Sequence, residues 1–182
     1  NKIADRTKDW RRDKIAEIPI EIDDDPLLSL AYYRKNNLEP AIFIQGLPGS
    51  RPELYARSIV LDKLRRASRF LPKNYKFVIF DAWRSLKTQQ FLFDRMNELV
   101  KQADPTLTAE QIRNAALRIV ALPSRDAKKP SPHNTGAAID LSIADDKGRL
   151  LPMGSPFDDI SPAAKSAFYE NKDGKEEKKL CS

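Results

Sequence analysis

The segment "AAIDLSI", residues 137–143, sets a carboxylate inside an otherwise apolar run. Strand alternation puts Ala137, Ile139, Leu141 and Ile143 on one face, with Ala138, Asp140 and Ser142 on the other. A carboxylate in such a strand is costly to bury unless a hydrogen bond, an opposite charge or a metal ion compensates it. Any fold open to this chain must therefore supply Asp140 with a partner. His133, the single histidine of the chain, precedes it in "SPHNTGAAID". A lone histidine beside a turn is ordinarily a satisfied polar group. Here Gly136 suits a backbone bend between loop and strand, so His133 and Asp140 can converge across it. Imidazole nitrogen and carboxylate oxygen are both zinc ligands, and a catalytic zinc commonly takes three protein ligands plus water.

Composition narrows the class. The 182 residues suit one domain with a sizeable core, at 41% hydrophobic and 32% charged residues. No apolar run approaches the roughly 20 residues of a membrane span. One cysteine, Cys181, excludes an intramolecular disulfide framework and cysteine-rich zinc modules. The net charge is +6, with basic clusters at Arg11, Arg12 and Lys14, at Arg65, Arg66 and Arg69, and at Lys128 and Lys129. Acidic residues mix through the same segments and aromatics make up only 8% of the chain, so these are solvated faces and not a nucleic-acid surface. A weak attraction for anionic polymers is compatible with that charge.

The order of elements points to an α+β domain, a small antiparallel or mixed sheet with helices packed on it. "IAEIPIEI", residues 15–22, reads as an edge strand interrupted by Pro19. "SRPELYARSIVLDKLRRASRFL" opens with a capping-box pattern, Ser50 and Glu53, and carries Leu54, Leu61 and Leu64 at helical spacing. "YKFVIFDAW" reads as a buried strand. Ser85 can cap the next helix, with a stripe of Leu92, Met96 and Leu99. Thr108 and Gln111 form a second capping box before Ile112, Ala115, Ala116, Ile119 and Val120. "DDKGRLLPM" reads as a hairpin turning near Asp146, Lys147 and Gly148.

A second polar group stands at the end of the buried strand. In "FDAWRS", Asp81 and Arg84 lie where strand runs into capped helix, a common location for functional groups on a rigid scaffold. A structural Asp–Arg pair that holds the turn is the competing reading, and local sequence does not separate the two.

Ser131-x-His133-x-x-Gly136-x-Ala138-x-Asp140 resembles the S-x-H-x-x-G-x-A-x-D signature of a zinc peptidase family. That family includes D-alanyl-D-alanine dipeptidases and carboxypeptidases, and its fold is related to Hedgehog signalling domains. The dipeptidase branch, of the VanX type, is favoured by three further stretches. "AYYRKNNL" is similar to its Tyr-containing segment, with Tyr32 and Asn37 on matching positions. "FDAWRS" resembles its Asp-x-x-Arg turn, although Ser85 stands where proline is usual. "LLPMGSPFDDIS" is similar to its Pro-Met-Gly-Ser-x-Phe-Asp segment, ending on Asp158.

The resemblance implies one Zn2+ per chain, held by His133 and Asp140. It implies that Arg84 stabilises the oxyanion formed when water attacks the peptide carbonyl. Ser131, Tyr32 and Asp158 would surround a small dipeptide substrate, with Asp158 near its ammonium group, and Asp81 would support Arg84. A D,D-carboxypeptidase acting on longer wall peptides shares this chemistry. A non-catalytic relative that binds wall peptides or a partner protein is the other functional class.

The family completes its site with a Glu-x-x-His pair that supplies general base and third ligand. Residues 1–182 contain neither the pair nor a second histidine. The expectation is therefore one dipeptidase domain lacking its C-terminal segment, inactive and weak in zinc binding as it stands. Glu170, Glu176, Glu177 and Cys181 have no spacing that suits them as substitutes. The start at Asn1 without Met favours an exported, periplasmic protein, with the cytoplasm as the alternative.

Overall fold

In this computed structural model, residues 24–41, 46–159, 161–164 and 168–169 are described. The elements run β1 (Leu27–Ser29), a 3-10 helix (Leu30–Asn36), β2 (Leu38–Pro40), β3 (Tyr55–Arg57) and α1 (Ser58–Ser68). They continue with β4 (Tyr75–Asp81), α2 (Leu86–Ala103), α3 (Ala109–Leu117), α4 (Pro132–Thr135), β5 (Asp140–Asp145) and a 3-10 turn (Pro162–Ala164). The expected edge strand at residues 15–22 lies outside the described residues.

Two small sheets organise the chain. β1 and β3 pair antiparallel, and β2, β4 and β5 form a mixed sheet with β4 in the middle. β2 runs parallel to β4, which requires a crossover, and β3 and α1 lie along that connection. β5 runs antiparallel to β4. The β-branched and aromatic run of "YKFVIFD" takes the central position because that strand is covered on both flanks. Phe77 and Ile79 point from β4 into a core built with Leu30, Leu54, Ala56, Leu61 and Ala82. Ile139 and Leu141 pack against the same core, as their alternation predicts. This is the α+β arrangement of helices on a mixed sheet.

Ile20–Arg149 forms one compact unit, and the described residues from Leu150 onward belong to another. In the latter, Asp159 accepts hydrogen bonds from the Ser161 amide and hydroxyl at 2.8 and 2.7 Å. The Tyr169 hydroxyl donates to the Gly154 carbonyl. Among the described residues, no helix is long and apolar enough to cross a membrane.

Helix starts show where local pattern is decisive and where it is not. Ser85 caps α2 by accepting from the Thr88 amide at 3.1 Å, and Thr108 with Gln111 forms the expected capping box of α3. The Ser50–Glu53 box does not form. Leu54 and Ala56 are buried with Tyr55 between them, a period of two, and Ala56 pairs with Leu28 across β1 and β3. Glu53 instead accepts from the Ser29 hydroxyl. The helix starts at Ser58, and its cap comes from 33 residues upstream. Asp25 accepts from the Ile59 amide at 3.2 Å and from the Ser58 hydroxyl. On α2 the buried residues are Thr88, Gln89 and Phe93, whereas Leu99 of the expected stripe is exposed. Polar contacts decide that rotation: Thr88 donates to the Pro48 carbonyl at 3.1 Å and Gln89 to the Ala121 carbonyl at 2.7 Å. The expected turn after β5 forms, with the Gly148 amide bonded to the Asp145 carbonyl at 3.0 Å, but among the described residues no strand element follows it.

The distant cap gives a direct test. The hydrogen bond from the Ser58 hydroxyl, followed by those from the Ile59 and Ser58 amides and the charge of Arg57, holds the Asp25 carboxyl below its ordinary value of 3.8. A lowered folded value stabilises the protein above 3.8, and that contribution is lost as pH falls through the lowered value. Asp25→Ala should therefore melt below the wild type at neutral pH. The gap should narrow in acid, as followed by thermal denaturation across a pH series.

Candidate metal centre

The site begins with one extra residue in β4. Ile79 pairs with Leu141, yet the next pair is Asp81 with Asp140, so Phe80 is the additional residue of a bulge. Without the bulge Asp81 would stand across from Ile139. With it, two carboxylates face each other at the end of the sheet, and like charges opposite one another are unfavourable. Arg84 resolves this. Its Nε donates to Asp81 Oδ2 at 2.5 Å and its Nη2 to Asp140 Oδ2 at 3.4 Å. The second Asp81 oxygen accepts from the Ala82 amide at 2.7 Å, so both oxygens of this buried carboxylate are engaged.

His133 arrives from α4. Gly136 ends that turn at φ +77°, a left-handed conformation that glycine adopts freely. A Cβ there would lie 2.5 Å from a methyl of Leu27. The sharp reversal returns the chain toward Asp140, as the bend at Gly136 predicts. His133 Nδ1 lies 2.7 Å from the Ala82 carbonyl, which can only accept, so Nδ1 carries the proton. In the neutral ring Nε2 then presents a lone pair, 3.5 Å from Asp140 Oδ2.

Two acceptors therefore face each other across a gap that asks for a cation. One ligand atom from each of Asp81, His133 and Asp140 lies within 4.8 Å of the others. Nitrogen from imidazole and oxygen from carboxylate suit zinc, and the hydrogen bond from Nδ1 to a carbonyl is the outer contact that ordinarily orients a zinc-bound histidine. Burial is the largest effect on Asp140 and raises its carboxyl above the ordinary 3.8. The positive charge of His133, when its ring is protonated, and that of Arg84 oppose that shift, and the Asp81 charge adds to it.

The backbone ties these side chains into one unit. The Arg84 amide donates to the His133 carbonyl at 3.0 Å, and the Asn134 side chain donates to the Arg84 carbonyl at 2.8 Å. Buried Ser131 donates its hydroxyl to Asn134. The structure thus brings His133, Asp140, Arg84 and Asp81 together and adds Ser131 through Asn134. Tyr32 stands on the first 3-10 helix, 85% exposed and outside this cluster. Asn37 ends that helix at φ 59°. Asp158 takes φ 60° in the separate unit that follows Leu150. Sequence reading missed Asn134 and Gln89, since a single amide on a helix carries no pattern until its partners are known.

An α+β scaffold that presents histidine, carboxylate and arginine at one sheet end has the donor set of a zinc peptidase. Residues 48–180 match the family of D-Ala-D-Ala dipeptidases within the M15 peptidases, and the chain belongs to that family, whose cofactor is zinc. It is 28% identical over 165 residues to a D-alanyl-D-alanine dipeptidase of Synechocystis sp., covering 84% of this chain and 67% of the relative. It is also similar to a mutant of the vancomycin-resistance D,D-pentapeptidase VanY solved in complex with Zn(II). That match has 22% identity and a TM-score of 0.38 over 59% of this chain, which spans 56% of the VanY chain.

Two substitutions test the geometry. Gly136→Ala should cost about 1–2 kcal/mol in urea unfolding, from the left-handed backbone, and should weaken zinc binding by displacing His133. Asp140→Asn separates stability from metal binding. The folded carboxyl of Asp140 holds its proton more tightly than the unfolded one. Its ionisation therefore destabilises the metal-free protein above the raised value and has no effect below 3.8. In chelator, the Asn variant should melt above the wild type at neutral pH, and the difference should vanish in acid. With zinc added, the order should reverse.

Proposed function

We propose that this protein hydrolyses the D-Ala-D-Ala dipeptide, with His133 and Asp140 as zinc ligands and Arg84 beside the scissile carbonyl. The observation that carries this reading is the pair of acceptors 3.5 Å apart, His133 Nε2 and Asp140 Oδ2, next to the Arg84 guanidinium. Zinc, when bound, polarises a carbonyl and lowers the pKa of water. His133 binds through Nε2, because Nδ1 is committed to the Ala82 carbonyl. The charge of Asp140, uncompensated by burial alone, is matched by the cation. Arg84 offers donors where negative charge develops on the carbonyl oxygen, a contribution of about 3–4 kcal/mol for a well-placed donor. Asp81 keeps that guanidinium in place and does not need to touch substrate.

The substrate contacts that the family resemblance implies for this reading are Ser131, Tyr32 and Asp158. The Ser131 hydroxyl donates its hydrogen bond to Asn134, which leaves its oxygen as an acceptor. By the family resemblance, Asp158 is the partner of the free ammonium of the dipeptide. A site that recognises a free ammonium discriminates strongly against an analogue whose amine is acylated and uncharged.

In one zinc-loaded preparation, D-Ala-D-Ala should turn over at least about 100-fold faster than the D-Ala tripeptide in kcat/KM. Equal rates would move the protein to the carboxypeptidase class. Arg84→Lys should lower kcat by about 10²–10³-fold with KM less affected, because lysine keeps charge but not the planar fork. Near-normal turnover would leave Asp81 and Arg84 with a structural role alone.

A further inference from the structure

We infer that Gln89 is a positioning residue that fixes the plane of the Arg84 guanidinium and so aims its remaining N–H groups at the reacting carbonyl. This rests on the role proposed above for Arg84. Gln89 lies in the first turn of α2 and is 1% exposed. A buried amide is tolerated when both its ends are bonded. Its Nε2 donates to the Ala121 carbonyl at 2.7 Å, and that oxygen can only accept. The amide therefore has one orientation, with Oε1 turned to Arg84 Nη1 at 3.3 Å.

A guanidinium carries five N–H groups in one plane. Asp81 takes the one on Nε, Gln89 one on Nη1 and Asp140 one on Nη2. With the covalent Cδ–Nε bond, contacts on Nε and Nη1 are enough to define that plane and the one on Nη2 reinforces it, whereas the Nε contact alone leaves an axis about which the group can pivot. Each terminal nitrogen then keeps one N–H for a substrate oxygen. A metal ion on Asp140 competes for the oxygen that Nη2 uses. Asp81 and Gln89 are then the contacts that still hold the arginine.

Gln89→Met preserves volume and removes both polar ends. In zinc-loaded protein it should lower kcat on D-Ala-D-Ala by about 10–100-fold, the scale of a small misplacement at the reacting centre. KM should stay within about threefold. Combined with Arg84→Lys it should add nothing to the loss from Arg84→Lys, since Gln89 acts through that side chain. Gln89→Glu keeps the acceptor for Nη1 and, as the neutral acid that burial favours, still donates to the Ala121 carbonyl, so it should recover most of kcat. Multiplying losses, unchanged kcat in Gln89→Met, or a Glu variant as impaired as Arg84→Lys would each overturn the inference. Should Gln89→Met not fold, the Glu variant decides alone by the same criterion.

A readout independent of turnover separates this from the functional reading. Nitrogen-15 NMR should show slow rotation of the Arg84 guanidinium in the wild type and in Gln89→Glu, and fast rotation in Gln89→Met. Fast rotation in the wild type overturns the positioning role even if the dipeptide is hydrolysed. Slow rotation without hydrolysis upholds the cage and refutes the substrate.

Discussion

Arg84 is the cation that lets two carboxylates share the end of a sheet. Asp81 is nearly inaccessible and Asp140 half-buried, and separating either from water is unfavourable without a fixed opposite charge. One guanidinium touches both. The balance differs between them. Asp81 has both oxygens engaged, whereas Asp140 is left with burial outweighing its partners and a raised carboxyl value. The surplus unfavourable charge sits on the oxygen that faces His133 Nε2. Stability withheld at Asp140 is what makes a cation favourable there.

The chain achieves this with few departures from regular geometry. A single added residue at Phe80 brings Asp81 opposite Asp140, and a single left-handed glycine returns His133 to the same place. Hydrogen bonds between the residues after β4 and those of α4 then lock the two turns in register. Side-chain orientation follows from main-chain contacts, so the donors are fixed before any ligand enters.

Features carried by local pattern were legible in the sequence. The apolar run of β4, the caps at Ser85 and Thr108 and the alternation around Asp140 each rest on neighbours within a few residues. The signature from Ser131 to Asp140 also carried the family, since its spacing encodes one turn and one strand. What was not legible depends on partners far along the chain. The cap of α1 comes from Asp25, the bulge at Phe80 exists only against β5, and Gln89 is explained by Ala121 and Arg84. The Ser50–Glu53 pattern misled for the same reason. Pairing with β1 outweighed a local capping preference worth about 1 kcal/mol.

β3 serves as a common post for both site turns. Its Tyr55 carbonyl accepts from the Trp83 amide at 2.8 Å, just before Arg84. Its Arg57 amide donates to the Gly136 carbonyl at 3.0 Å, and the Arg57 side chain donates to the Thr135 carbonyl at 2.8 Å, just after His133. Among the described residues β3 pairs only with β1, in a ribbon of three residues per strand, and such two-stranded ribbons are marginal on their own. Opening of that ribbon frees the turns on either side of the centre together. A metal ion held by His133 would then depend on the integrity of that ribbon as well as on its own ligands, because a local opening loosens both turns at once.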